Sequence, residues 1–99
     1  MSDFFELTTD FRRRRLEFVH TELDTGVAFA QVTQTERKLG NTERAAHSLQ
    51  LAEDACGEAR RRLNQCDPNE MQAAFDSAQS KMEALEATIA ELRRFRLGS

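Results

Sequence analysis

The residue spacing best suited to chemistry is Glu17-Phe18-Val19-His20, which separates a carboxylate and an imidazole by three positions. On a helix such a pair shares one face, as in the di-iron sites of four-helix bundles. Those sites need a second such pair and two further inward-facing glutamates, and Glu43 and His47 have the wrong spacing. In a dimer, the other copy of the chain would supply the second glutamate–histidine pair. We predict no metal and no cofactor, and interpret His20 as a histidine at the surface or the edge of the core.

Cys56 and Cys66 are the candidate nucleophiles, and a nucleophilic cysteine needs a base beside it. Both fall on an apolar stripe, which predicts burial, and His47 lies on another face of the same predicted helix. The cysteines stand about 15 Å apart along that helix, beyond disulfide reach. No phosphate-binding glycine loop or paired-cysteine zinc spacing is present in the sequence. We therefore predict reduced cysteines, a cytoplasmic location and no enzymatic activity.

The run Arg12 to Arg15 is the most concentrated positive charge in the chain. The specific function that such a run suggests is binding to the phosphate groups of a nucleic acid or of a membrane surface. On a helix, however, four consecutive side chains point about 100° apart, and Asp10 and Glu17 stand at pairing distance along the helix. The net charge is −3, and no run of about eighteen apolar residues occurs. We predict a solvated, partly neutralised face, with neither nucleic acid nor membrane as partner.

Composition favours a single helical domain. The chain has 99 residues, of which 39% are hydrophobic and 31% charged, with four glycines and one proline. Arginine outnumbers lysine twelve to two, which is typical of GC-rich bacterial genomes. Neither a linker nor a low-complexity segment divides the chain, so we predict one domain over residues 1–99.

Three helices follow from the capping signals and the apolar periodicity. Asp67-Pro68-Asn69-Glu70 combines an N-cap carboxylate with a proline at the first helical position, so a third helix is predicted over residues 68–96. Gly40 and Asn41 end one helix and cap the next, which gives a first helix over 17–39 and a second over 42–65. Residues 1–16 form an N-terminal extension. The predicted fold is an all-α, three-helix antiparallel bundle with a long first helix.

The stripes of the second and third helices also predict how these helices meet. Pairing residues antiparallel from the connecting turn places Cys56 against Ala78 and Leu49 against Leu85. The first helix is apolar around a wider arc, with Phe18, Phe29, Val32 and Leu39 on a second stripe, so we expect it to contact both other helices. Two glycines lie inside helices: a kink is predicted near Gly26, and either close packing or an exposed site at Gly57.

The segment Gly40-Asn41-Thr42-Glu43-Arg44-Ala45, followed by Ala52, resembles the middle of a tetratricopeptide (TPR) repeat. The sequence departs from that pattern at Thr33, Glu36 and Gly57. A single hairpin with a long third helix is closer to the microtubule-interacting-and-transport (MIT) domain, and this likeness covers about residues 20–95. The MIT family binds amphipathic peptides in grooves between its helices, so the resemblance implies a non-enzymatic, peptide- or helix-docking interaction module.

Two surfaces are predicted to bind a protein partner. The first is a groove beside the third helix, formed by residues off its core stripe: Ala74, Lys81, Ala84, Phe95 and Leu97. The second is the apolar N-terminal extension, with Phe4, Phe5, Leu7 and Phe11. The second helix is too short to cover this extension, so it either folds back as a short fourth helix after a break near Thr8-Thr9 or packs against a second copy as a homodimer. We favour the second copy, because no glycine or proline nearby permits a reversal.

Overall fold

The computed structural model describes the backbone of residues 2–66 and 72–98, and the side chains of residues 13–66 and 72–94. This part of the chain forms three α-helices: α1 over Ser2–Lys38, α2 over Thr42–Leu63 and α3 over Gln72–Gly98. Each helix packs against the other two, which confirms the all-α three-helix bundle. The molecule measures 59 × 18 × 16 Å, because α1 with its 37 residues is alone about 55 Å long.

The first helix is continuous from Ser2 to Lys38. The predicted extension and the predicted first helix are therefore one element, and a break near Thr8-Thr9 with a folded-back fourth helix is wrong. Gly26 does not interrupt the helix either. The predicted cap at Asp67-Pro68 lies outside the described residues.

The connection between α1 and α2 is the expected glycine turn. Gly40 has φ of +80°, the left-handed conformation that glycine adopts without a steric penalty. Its N–H donates to the Arg37 carbonyl at 3.1 Å, and the Asn41 N–H donates to the Glu36 carbonyl at 2.8 Å. These two bonds form a Schellman motif. Asn41 precedes α2 as predicted, but its side-chain amide donates to Glu36 Oε2 at 2.7 Å and makes no capping bond to α2.

The core forms where one apolar stripe from each helix meets the other two. Its largest fully buried side chains come from all three helices: Val19, Leu23, Thr33, Leu49, Met82 and Leu85. Thr33 is tolerated there because its hydroxyl donates to the Phe29 carbonyl at 2.9 Å. Leu49 and Leu85 are both buried, as their stripes predict.

All three helices meet at Gly26. A Cβ placed on this residue would lie 2.7 Å from Leu85 Cδ2, 3.5 Å from Ala55 Cβ and 3.6 Å from the Ala52 carbonyl oxygen. Gly57, in contrast, has no atom within 4 Å of such a Cβ and is exposed. A side chain at position 26 of α1 would therefore have to displace Leu85. At Gly57 of α2, a side chain would project into open space.

The predicted register between α2 and α3 is wrong by at least one helical turn. Cys56 Sγ lies 3.8 Å from Met82 Sδ, one turn along α3 from the expected Ala78. Arg60 of α2 pairs with Glu86 of α3, which is further along still. A stripe with steps of three and four residues matches its partner almost equally well after a slide of one turn, so the stripes alone do not fix the register. At Gly26 of α1, Leu85 of α3 meets Ala52 and Ala55 of α2, a contact among three helices that the stripes do not predict.

Candidate functional site

The outer face of α1, turned away from α2 and α3, is unusually poor in charge. We call this exposed, uncharged row the α1 strip; it consists of Leu39, the residue that follows α1, and of the α1 residues Phe18, Thr21, Thr25, Ala28, Val32 and Thr35. The exposed large hydrophobic side chains of the described part of the chain all belong to this strip: Phe18 is 40% exposed, Val32 43% and Leu39 68%. The strip runs for about 32 Å along the helix. A contiguous uncharged surface of this length on a chain that is 31% charged is a candidate contact surface.

Two threonines of the α1 strip have their hydroxyl groups satisfied within the helix. The Thr21 hydroxyl donates to the Glu17 carbonyl at 3.0 Å, and the Thr25 hydroxyl donates to the Thr21 carbonyl at 3.0 Å. Because these donors already have partners, covering the two threonines with another helix leaves no unpaired hydroxyl hydrogen. The strip can therefore lose its water at low cost.

The end of the α1 strip nearest the chain's N-terminus is held by α2. The Arg62 guanidinium carbon lies 4.1 Å from the centre of the Phe18 ring, a cation–π contact that fixes the ring. One turn earlier in α1, Arg15 Nη1 donates to the carbonyl of Gln65, just past the end of α2, at 3.1 Å. These contacts orient the strip against the rest of the bundle.

Charged and polar residues border the α1 strip on its α3 side: Glu17, Asp24, Gln31 and Lys38. All four side chains are exposed, and Asp24 forms an ion pair with Lys81 of α3. Acidic residues occupy the N-terminal half of this border and the lysine its C-terminal end. The border is thus polar along its length, with opposite charges at its two ends.

A cleft of about 380 Å³ lies between α2 and α3. Cys56 and Gly57 are among its lining residues, and so are members of two ion pairs. Arg60 pairs with Glu86, and Arg93 Nε lies 3.3 Å from Glu53 Oε1. Because each arginine already has an acidic partner, the cleft does not offer a free cationic site for an anion.

A second, smaller cleft of about 200 Å³ lies between α1 and α3, lined by Val27, Ala30, Gln31, Gln34, Leu85 and Thr88. The groove predicted from the sequence does not coincide with either cleft, since Ala74, Lys81 and Ala84 line neither. The sequence predicts Ala74 off the core stripe. In the structure its side chain is partly buried and packs against the core. Lys81 is drawn to α1 by Asp24, and Ala84 is exposed.

Several predicted contact residues fall outside the described side chains. These are Phe95 and Leu97 of the predicted groove and the predicted self-association residues Phe4, Phe5, Leu7 and Phe11. The backbone at all of these positions is helical. A groove beside α3 and self-association through the N-terminal residues both stay predictions.

The two arginine-rich segments carry local structural contacts. Arg13, Arg14 and Arg15 are exposed, and Arg15 binds the end of α2. In α2, Arg61 and Arg62 both pair with Glu58. The hydrogen bond from Arg61 lowers the pKa of the Glu58 carboxyl below its usual value. Much of the positive charge of α2 is therefore balanced within the helix.

Glu17 and His20 gain no further ligands among the described side chains. Glu17 is exposed and His20 is half-buried. Over residues 13–66 and 72–94, no group of three or more histidine, cysteine, aspartate or glutamate residues is placed to hold a metal ion. Nor is any helix within residues 2–66 and 72–98 long and apolar enough to cross a membrane.

Both cysteines are free thiols, with Cys56 buried and Cys66 half-buried. Burial raises the pKa of Cys56, and the nearby Glu86 carboxylate raises it further. Burial also raises the pKa of Cys66, whose Sγ lies 3.5 Å from the Arg62 carbonyl oxygen. Both thiols are therefore protonated at neutral pH, the unreactive form of a cysteine.

We expect both cysteines of the folded chain to react with iodoacetamide more slowly than the same cysteines of the urea-unfolded chain at pH 8. Cys56 should react more slowly than Cys66, because it is the more deeply buried. Peptide mapping after timed alkylation measures both rates, and the unfolded chain is the control. A folded-state Cys56 that reacts as fast as in urea would contradict the burial described above.

The α1 strip was not identified from the sequence, although its residues were visible there. The second apolar stripe, with Phe18, Val32 and Leu39, predicts contact with the other two helices, and the structure instead leaves all three exposed. Only Phe29 of that group packs against the core, where it is partly buried. The available signal was the spacing of seven residues between Val32 and Leu39 and fourteen between Phe18 and Val32, the period of a helix-pairing seam.

The resemblance to MIT and TPR modules rests on residues of the sequence alone. No family model, curated protein or solved structure matches this chain, so the function proposed below rests on the contacts and exposed surfaces of its three helices.

Proposed function

We propose that this protein is a non-enzymatic protein–protein interaction module that docks an α-helix along the α1 strip. The observation that carries the proposal is the location of Phe18, Val32 and Leu39, large hydrophobic side chains that are exposed together on one helix face. Burying them in a contact would contribute about 1.5 to 3 kcal/mol each at full burial, and correspondingly less here, since part of each is already covered.

The shape of the α1 strip favours a helix as the occupant. A straight row about 32 Å long and one residue wide matches the contact line of a second helix better than it matches a folded surface or a small molecule. Small side chains at its middle, Thr25 and Ala28, let another backbone approach closely, while Phe18 and Leu39 fill the space toward its ends. This combination is typical of helix-pairing surfaces.

The chemistry of the interior supports a binding role over a catalytic one. The thiol of Cys56 is buried, its pKa is raised, and its sulfur contacts Met82. The arginines that line the α2/α3 cleft are engaged with Glu53 and Glu86. Acyl transfer through Cys56 would require a thiolate beside a base, whereas its buried thiol stays protonated.

Site-specific photo-crosslinking tests this function. Benzoylphenylalanine is placed singly at Ala28 in the α1 strip, at Ala84 in the predicted α3 groove, and at Ala46, an exposed control on α2. The proteins are irradiated in cells of the source organism. We expect one discrete adduct from position 28 and none from position 46, because a helix docked on the strip passes directly over Ala28.

The outcome also separates the two candidate surfaces. An adduct from position 84 with none from position 28 would move the docking site to the groove beside α3. The same smear of adducts from all three positions would mean that the strip has no specific partner, and the proposed function would fail.

A further inference from the structure

We propose that the helix docked on the α1 strip is the strip of a second copy of this chain, packed antiparallel with Thr25 of each copy opposite Ala28 of the other. The inference rests on the proposed function and names its partner. It follows from the complementarity of the strip with itself, in side-chain size and in charge.

The strip has the periodicity of a two-helix seam. Phe18, Thr25, Val32 and Leu39 recur every seven residues, and Thr21, Ala28 and Thr35 lie between them at steps of three and four. All seven are exposed. In a paired-helix seam these are the two core positions of each heptad, so both copies can present a continuous row of knobs and holes.

Antiparallel pairing places large side chains against small ones. From the central Thr25 and Ala28 pair, the layers continue outward as Thr21 with Val32, Phe18 with Thr35, and Arg14 with Leu39. At the outermost layer the aliphatic stem of Arg14 covers Leu39 while its guanidinium stays in water. No layer requires two bulky residues to occupy the same space.

The border charges are complementary in the same arrangement. Glu17 of one copy faces Lys38 of the other on the α3 side of the seam, and this contact occurs twice by symmetry. Asp24 faces the neutral Gln31. On the other side, Arg15 faces Glu36, and each keeps a neutral partner in its own copy: Arg15 the Gln65 carbonyl, and Glu36 the Asn41 amide. All of these pairs are opposite in charge or include a neutral member.

Other alignments of the same strip bring like charges together. A shift of one heptad in one direction places Glu22 against Glu22 of the second copy and brings together the two Asp24 side chains, each paired with its own Lys81. A shift in the other direction places Glu22 against Glu36. Parallel pairing opposes Arg14 to Arg14 and Glu17 to Glu22. Like charges directly opposed across a paired-helix seam are destabilising, so the antiparallel alignment centred between Thr25 and Ala28 is favoured.

The size of the contact predicts a reversible dimer. The shared length from Arg14 to Leu39 is about 38 Å, and a helix-wide footprint of about 10 Å gives roughly 800 Å² over both copies. This area is below that of stable specific interfaces and falls in the range of weak, transient contacts. We therefore expect a weak, readily reversible dimer, weakened further by salt because part of the alignment energy comes from ion pairs.

A charge-swap experiment on the full chain tests the pairing. Glu17→Lys and Lys38→Glu are made singly and together, and the dimer dissociation constant is measured by sedimentation equilibrium at low salt. We expect each single reversal to weaken the dimer by about tenfold, since two ion pairs become two like-charge contacts, and the double reversal to restore it. Glu83→Lys, an exposed reversal on α3, is the charge-matched control and should leave the constant unchanged.

Restoration of the dimer by the double reversal is diagnostic, because residues 17 and 38 lie about 32 Å apart along one helix. They cannot interact within a single copy. A chain that is monomeric up to millimolar concentration would overturn the inference, as would a dimer in which the double variant is no stronger than the singles. If the chain is monomeric and position 28 crosslinks to a different protein, the docking function stands. Only the claim that the docked helix belongs to a second copy is overturned. Absence of any discrete adduct at position 28 would instead overturn the docking function itself.

Discussion

Replacing Leu49 with Asp is expected to abolish the cooperative unfolding transition of this chain. Leu49 is fully buried. Its loss removes about 3 to 5 kcal/mol of packing, and burying an unpaired carboxylate adds several kcal/mol more. A domain of this size has only about 5 to 15 kcal/mol of stability in total. Thermal unfolding followed by circular dichroism should show a broad, non-cooperative loss of helix instead of a sigmoidal transition.

The matched control is Leu39→Asp, the same substitution at a leucine that is 68% exposed. This variant should keep a cooperative transition, because its carboxylate stays in water. A Leu49→Asp chain that melts as cooperatively as Leu39→Asp would mean that α2 does not present this face to the core.

Replacing Gly26 with Val is expected to lower the free energy of unfolding by about 2 to 3 kcal/mol. A Cβ at this position would lie 2.7 Å from Leu85 Cδ2, and Leu85 is buried with little room to move. The added side chain must therefore push α3 away from α1 or force Leu85 out of its preferred conformation. Urea unfolding measures the loss.

Gly57→Val makes the same chemical change where no atom lies within 4 Å of the new Cβ. This control should change stability by no more than about 0.5 kcal/mol, since valine and glycine differ only modestly in helix propensity. Equal destabilisation at the two positions would contradict the close approach of the three helices at Gly26.

Local signals in the sequence predict the local structure well. The left-handed glycine at Gly40 and the periodic stripe of α2 are properties of neighbouring residues, and the structure contains both. The axial register between α2 and α3 could not be predicted in the same way. It is set by contacts between residues far apart in the chain, such as Cys56 with Met82 and Arg60 with Glu86.

The candidate site was harder to predict, because an apolar residue on a helix does not reveal which surface it faces. In the sequence, Phe18, Phe29 and Val32 form one wide apolar arc. Only the placement of α2 and α3 separates the partly buried Phe29 from the exposed α1 strip. Whether an apolar position belongs to the core or to a docking surface is decided by the other helices. Their placement is a tertiary property that periodicity does not encode.

The most direct measurement of the docking surface is a dilution series of the ¹⁵N-labelled full chain followed by amide chemical shifts in NMR spectra. If a second copy docks on the α1 strip, the amide chemical shifts that change with concentration are those between Phe18 and Leu39, on the outer side of α1. Amides of the exposed α2 face around Ala46 should not move. Shifts confined to α3, or no shifts up to millimolar concentration, would contradict it.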